Sequence, residues 1–318
     1  MRVILLGPQR RPTVDAVARS LTLPADRPIA TITAGWRERE PEDRELGTLL
    51  GGRAVNLALY RRWLDVQDRD PEYFAGERRL DETLAELQDV YLLRLDYALR
   101  AVYAVQRRSS GALGAAGVFG AAGVFGAGAV AEAVDAVREL DAAHLRQVNN
   151  ARGEFFQRLE PHGRPVIAEH RAAVERILGE ASALVVAGGH VGVLAETLHL
   201  FNIAAALRSA VIAWSAGAMA LADRIVLFHD RSPQGPGHSE VYGSGLSLLR
   251  DVVLLPHARA RLLLDDTPRM AAFARRFAPA RCILLESGTR IEFDSDDAWP
   301  PGVRVIGEDG RVTVREAA

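Results

Sequence analysis

Short apolar runs and helical periodicities alternate in two stretches of the chain, separated by a long stretch of helical pattern alone. Val3–Leu6 is an apolar run that stops at Gly7-Pro8. It is followed by apolar positions at helical spacing over Thr13–Leu21, with Thr13 placed as an N-cap. Pro28–Thr33 is a second, β-branched run ending at Ala34-Gly35. A helix then closes at Gly51-Gly52, and Ala54–Tyr60 reads as a third strand. Alternation resumes at Ala183–Val186, which runs into Gly188-Gly189-His190. A helix over Val193–Leu207 leads to the strand Ala210–Trp214, which ends directly on Ser215. Past Arg281 the segments RCILLE, TRIEF, VRVIG and VTVRE predict short strands forming an antiparallel edge. Strands alternating with helices predict an α/β protein with a doubly wound, mostly parallel sheet.

Between these stretches, Glu77–Arg108 and Ala129–Leu159 carry helical periodicity, strong helix formers and i,i+4 charge pairs, and predict two long helices. The linking segment 109–130 is rich in Gly and Ala, and the unit GAAGVF occurs twice in it, at 114–119 and 120–125. Its length approaches a bilayer span, but a Gly at about every third position gives poor helix propensity and poor transfer energy. A loosely packed hairpin tip is expected, with no stable membrane insertion. The organisation predicted is a first α/β part over 1–70, a helical insertion over 71–179, and a second α/β part over 180–318 carrying the catalytic elements.

Composition narrows the function classes. The 39 basic and 41 acidic residues nearly cancel, so there is no basic field to hold nucleic acid by counterion release. Every basic residue is Arg, because the chain contains no Lys. That excludes a Schiff-base lysine, a pyridoxal-phosphate anchor and a Walker A loop. Cys282 is the single cysteine, which excludes an intrachain disulfide framework and a cysteine zinc site and agrees with a cytoplasmic setting. MRVILLGPQRRPT is too short in its apolar run for a signal-peptide core. Glu196 and His199 have i,i+3 spacing, but no second such pair exists, so no metal site is expected and no cofactor is implied.

The segment VIAWSAGAMAL, Val211–Leu221, has the form of a nucleophile elbow: a buried strand halts at Ser215, and small neighbours permit the tight turn that lifts the hydroxyl above the sheet. The competing reading is a Ser that caps the helix starting at Ala216. A serine nucleophile needs a base, and His257 is placed for this role after the apolar run of DVVLLPHARARL, at the C-terminal end of a strand.

GGH at 188–190, WSAGAMAL at 214–221 and GLSLLRDVVLLPHARARL at 245–262, in this order, resemble the dipeptidase E and cyanophycinase family of serine peptidases, relatives of the class I glutamine amidotransferase fold. The resemblance covers about 184–293 well and 2–33 loosely. It implies a flavodoxin-like sheet, Ser215 as nucleophile, His257 as general base and Asp230 as the acid orienting it, with Gly189 and Ala216 as oxyanion donors. His190 stands where the family usually has Asn. Glu286, in LLESGT, resembles a family position near the site, and whether it or Asp230 faces His257 stays open. An acidic, aspartyl substrate is implied, and Arg259 and Arg261 are the cations expected to meet it together with His190 and Glu286 as substrate-binding residues. The resulting expectation is a serine peptidase acting on small peptides. A catalytically silent binding or assembly protein that uses the helical insertion, and a carboxylesterase, are the alternatives. A homodimer through that insertion or a sheet edge is the expected assembly.

Overall fold

The computed structural model describes residues 1–115, 121–231, 237–294 and 300–314, without the side chains of 110–115 and 121–125. Residues 116–120, the centre of the expected hairpin tip, lie outside it.

Twelve strands are present among the described residues: β1 Val3–Leu6, β2 Ile29–Ile32, β3 Ala54–Asn56, β4 Ala183–Val186, β5 Ala210–Trp214, β6 Arg224–Leu227, β7 Glu240–Ser244, β8 Val252–Pro256, β9 Arg281–Leu285, β10 Arg290–Phe293, β11 Arg304–Ile306 and β12 Val312–Val314. The helices are α1 Val14–Ser20, α2 Arg44–Leu49, α3 Leu59–Arg69, α4 Pro71–Ala115, α5 Ala121–Leu159, α6 Pro165–Glu180, α7 Val191–Leu200, α8 Ile203–Ala206, α9 Ala216–Met219, α10 Ala258–Arg261 and α11 Thr267–Phe277.

The main sheet has the order β10-β1-β5-β4-β2-β3, parallel except for β10. Its central strands are apolar but for the buried Thr31 of β2, as suits strands covered on both faces. Alternate residues separate the two faces. Ile4, Leu6, Ile29, Val185 and Ile212 pack with Val14, Val17 and Leu46 of α1 and α2. Val3, Leu5, Ile32, Leu184 and Val211 join the larger core with α3, α6 and α7. A second sheet, β12-β11-β9-β8, keeps β8 and β9 parallel, and β6 and β7 form a separate antiparallel ribbon.

Four local expectations change. The third strand stops at Asn56 because Ala58 turns into the left-handed region (φ 50°) and α3 begins at Leu59. The N-terminus of α1 is capped from outside the helix: Gln9 Oε1 accepts from the N–H groups of Thr13 (2.8 Å) and Val14 (3.1 Å), and the Thr13 side chain makes no cap bond. The helix expected over Val193–Leu207 breaks into α7 and α8 at Asn202, another left-handed residue. The C-terminal strands divide between two sheets, β10 on β1 and β11 on β9.

The long helices α4 and α5 lie within the β3-to-β4 crossover and are joined to the α/β part by a buried polar knot. Arg276 of α11 donates to both oxygens of Asp141 on α5 (2.7 Å each), to the Tyr91 hydroxyl of α4 (3.0 Å) and to the Ser239 carbonyl (2.7 Å). Tyr91 in turn donates to Asp141 Oδ1 (2.9 Å), accepts from Val241 N–H (3.0 Å) and stacks on His144. Among the described residues no helix is long and apolar enough to cross a membrane.

Candidate active site

The carboxyl ends of β1, β4, β5 and β8 converge on a cleft of about 830 Å³, where an open α/β sheet places its ligands. Ser215 occupies the turn from β5 into α9 with φ 52° and ψ −126°. This is a strained conformation for a residue with a Cβ, and one that the rigid strand before it and the packed helix after it hold in place. The side chain makes no cap bond to α9, so the helix-cap reading of Ser215 does not hold. Gly188 allows the close approach beneath it, since a Cβ there would come within 2.9 Å of the Ser215 Cβ. Gly189 has φ 127°, and a Cβ on it would collide with the Gly35 carbonyl at 2.2 Å, so both conformation and space demand glycine. The loop is fixed by the His190 N–H donating to Gly35 O (2.7 Å) and by His190 Nδ1 accepting from Val193 N–H (3.2 Å) at the start of α7.

Gly189, His190, Ser215, Ala216, His257 and Arg261 all line the cleft. Among the described residues the Gly189 and Ala216 N–H groups have no backbone partner, and both residues line the cleft with Ser215. His257 follows β8 in a left-handed conformation (φ 58°) and lines the cleft. The imidazole is held below its usual pKa, first by burial and then by the positive charges of Arg261 and Arg10, with Glu286 acting in the opposite sense. Such a ring is neutral at pH 7 and able to accept a proton. Among the described residues Ser215 and His257 share no hydrogen bond, and catalytic bonds in ligand-free sites commonly tighten only when substrate arrives.

The two candidate acids lie in different surroundings. Asp230, expected from the resemblance to orient His257, is buried away from the cleft: Oδ1 accepts from Arg269 Nη2 (2.6 Å) and Oδ2 from Leu263 N–H (3.1 Å). Glu286 follows β9, which pairs in parallel with β8 as far as Pro256 opposite Leu285, so His257 and Glu286 each directly follow the last paired residue of their strand. The His257 N–H donates to Leu285 O (3.1 Å), and Glu286 Oε1 accepts from the Arg259 N–H (2.8 Å). Arg259 is exposed and its side chain lies outside the cleft lining, as does that of Glu286, so of the expected substrate contacts only His190 and Arg261 line the cleft. Arg261 is half-buried, stacks over Phe228 and has no carboxylate partner among the described residues.

The model for peptidase family S51 matches residues 141–299, half of the chain, and spans Ser215, Asp230, His257 and Glu286. The chain belongs to peptidase family S51. As a family S51 member it is a serine-type peptidase on an α/β scaffold, and a peptide is its class of substrate. Among solved structures, a peptidase from an acI-B1 Actinobacterium is similar at 12% identity over 100% of this chain and 94% of that one, with a TM-score of 0.44. No curated protein matches the chain.

Other residues of this family member line the cleft without having been singled out in the sequence, among them Arg10, Trp36, His229 and Tyr242. Arg10 had a usable signal, its place three residues past the Gly that ends an apolar strand. Trp36, His229 and Tyr242 reach the cleft through loops and the β6–β7 ribbon, whose placement no local pattern encodes. Cys282 is no rival nucleophile, since burial pushes its thiol up to about 12. Glu196 and His199 face the helical arm, and no group of three or more metal-type ligands exists among the described residues.

Proposed function

We propose that the protein hydrolyses small peptides bearing an acidic residue through a Ser215–His257–Glu286 triad. Ser215 Oγ attacks the scissile carbonyl as His257 takes its proton. The tetrahedral oxyanion is received by the N–H groups of Gly189 and Ala216, each such donor contributing about 3 kcal/mol to transition-state stabilisation. His257 then passes the proton to the leaving amine, and water, activated by the same ring, releases the acyl group. The observation that carries this reading is the strained Ser215 elbow opening into the same cleft as a neutral His257. Glu286 is favoured over Asp230 as the acid because it follows the strand paired with that of His257, whereas both Asp230 oxygens are engaged elsewhere.

Arg261 carries the acidic preference. A half-buried guanidinium with no carboxylate of its own, facing a cleft with Arg10 and His190, is a receptor for a substrate carboxylate. The α/β parts 1–70 and 180–318 are read as one catalytic body bearing the insertion 71–179, in a cytoplasmic setting.

The test is initial-rate hydrolysis of N-terminal Asp, β-Asp-Arg and neutral dipeptides and of p-nitrophenyl esters, alongside labelling by a fluorophosphonate. Wild type is expected to label and to cleave the acidic peptides, and Ser215→Ala to do neither while melting at nearly the same temperature. Folded wild type that neither labels nor cleaves would make the chain a binding protein, and turnover confined to esters a carboxylesterase. Glu286→Gln is expected to lower kcat on the order of a thousandfold or more, with Asp230→Asn affecting chiefly stability. The reverse pattern would restore Asp230 as the acid.

A further inference from the structure

Helix α4 has two apolar faces, and only one is covered. Leu80, Tyr91, Leu95, Leu99 and Val102 are buried against the rest of the protein. On the opposite side Val90, Leu93 and Tyr97 are 58%, 62% and 66% exposed, three of the most exposed large apolar side chains among the described residues. Their spacing of three and four residues makes them one stripe, and at 100° per residue Leu93 lies about 180° from Val102. A helix packed on one side only would carry polar residues here.

The charges along this stripe are polarised. Within about three turns of Leu93, Glu82, Glu86 and Asp89 lie on its N-terminal side and Arg100 on its C-terminal side, all exposed. Glu86 and Arg100 each stand seven residues from Leu93, two turns away on the same face. Arg100 is held in place by an ion pair to Asp96 (2.8 Å) and by its position over the Tyr97 ring, and Asp96 also meets His238 (3.1 Å).

We propose that this face of α4 pairs antiparallel with the same face of a second copy of the chain, across a two-fold axis at Leu93. In that arrangement Leu93 meets Leu93 of the second copy, Val90 and Tyr97 interleave with their counterparts, and each Glu86 meets the other copy's Arg100. A surface that is complementary to itself when reversed is what a two-fold interface requires. A parallel pairing would set acid against acid and base against base. Arg79 and Arg107, fourteen residues from Leu93 on either side, lie where crossing helices have diverged.

The test is the mass of the full-length protein in solution, by sedimentation equilibrium over about 1–100 μM, the range of weak to moderate association. Wild type is expected at twice the mass of one chain and Leu93→Glu at the mass of one, with unchanged circular dichroism because Leu93 is outside the core. Glu86→Arg and Arg100→Glu singly are expected to weaken association at least tenfold, and the double variant E86R/R100E to restore it. A wild type that stays single overturns the proposal, including one whose stripe instead binds lipid vesicles or another protein. A dimer that survives Leu93→Glu overturns it in favour of a sheet edge, and failure of the double exchange to restore association overturns the two-fold register.

Discussion

His257 sits among opposing influences: burial, Arg261 and Arg10 lower its proton affinity, and Glu286 raises it. With His257 as the proposed base the active form is the neutral ring, so kcat/KM is expected to fall as pH drops through a value below the ordinary 6.5. Arg261→Gln removes a positive charge from the ring's surroundings, and its acid limb is expected at higher pH than that of wild type. The same variant should raise KM for acidic dipeptides while leaving neutral ones little changed, and pH-rate profiles on both substrates check the two effects together. A limb that does not move would mean that Arg261 is not electrostatically linked to the base. Ser215, His257, Gly189 and His190 were legible in sequence because each stands at the end of an apolar run or beside a Gly pair, and local chain geometry is what sequence encodes best. The sequence left open whether Asp230 or Glu286 faces His257, and Glu286 is the one that lies near it. Its nearness to His257 comes from the register of β8 on β9, a pairing between segments that the sequence only lists in order.

The helices and central strands follow directly from periodicity, since Ala183–Val186 and Ala210–Trp214 are observed with the predicted bounds. The breaks were less visible, because Ala58 and Asn202 turn left-handed without a glycine to mark the place. Nothing local announced the polar knot that ties α4, α5, α11 and β7. Its members Tyr91, Asp141, Ser239 and Arg276 come from three helices and the segment leading into β7, and Arg276 and Asp141 are both almost fully buried. Removing one side of a buried pair leaves the other charged and unsolvated, which costs about 3–5 kcal/mol. Asp141→Ala is accordingly expected to lower stability by that amount in denaturant titration. Replacing Arg276 and Asp141 together by apolar residues should cost much less than the sum of the single changes.

At the scale of the whole molecule, the seam between the arm and the α/β part is acidic. Glu196 of α7 faces Glu77 and Asp81 of α4, with Arg152 of α5 the compensating charge and Tyr73 and Tyr242 alongside. Burial, then Glu77 and Asp81, push the Glu196 carboxyl up to about 7. A carboxyl whose folded pKa exceeds its unfolded value favours the native state most at pH below about 4.5, and that contribution is lost as pH rises through 7. Glu196→Gln should thus remove part of the stability decline between about pH 4.5 and 7, seen as a melting temperature less dependent on pH than that of wild type. The order of strands in the main sheet has a different consequence, in the time the chain takes to assemble. Val3 of β1 pairs with Val211 of β5 on one side and with Phe293 of β10 on the other, so β1 waits for two strands made after the helical arm. During synthesis β1 is an apolar strand with both edges open while the helical arm, built from near-neighbour contacts, is free to form early. Folding of this enzyme is therefore expected to be slow at its sheet and fast at its arm, and a nascent chain halted before Ala210 to need a chaperone to stay in solution.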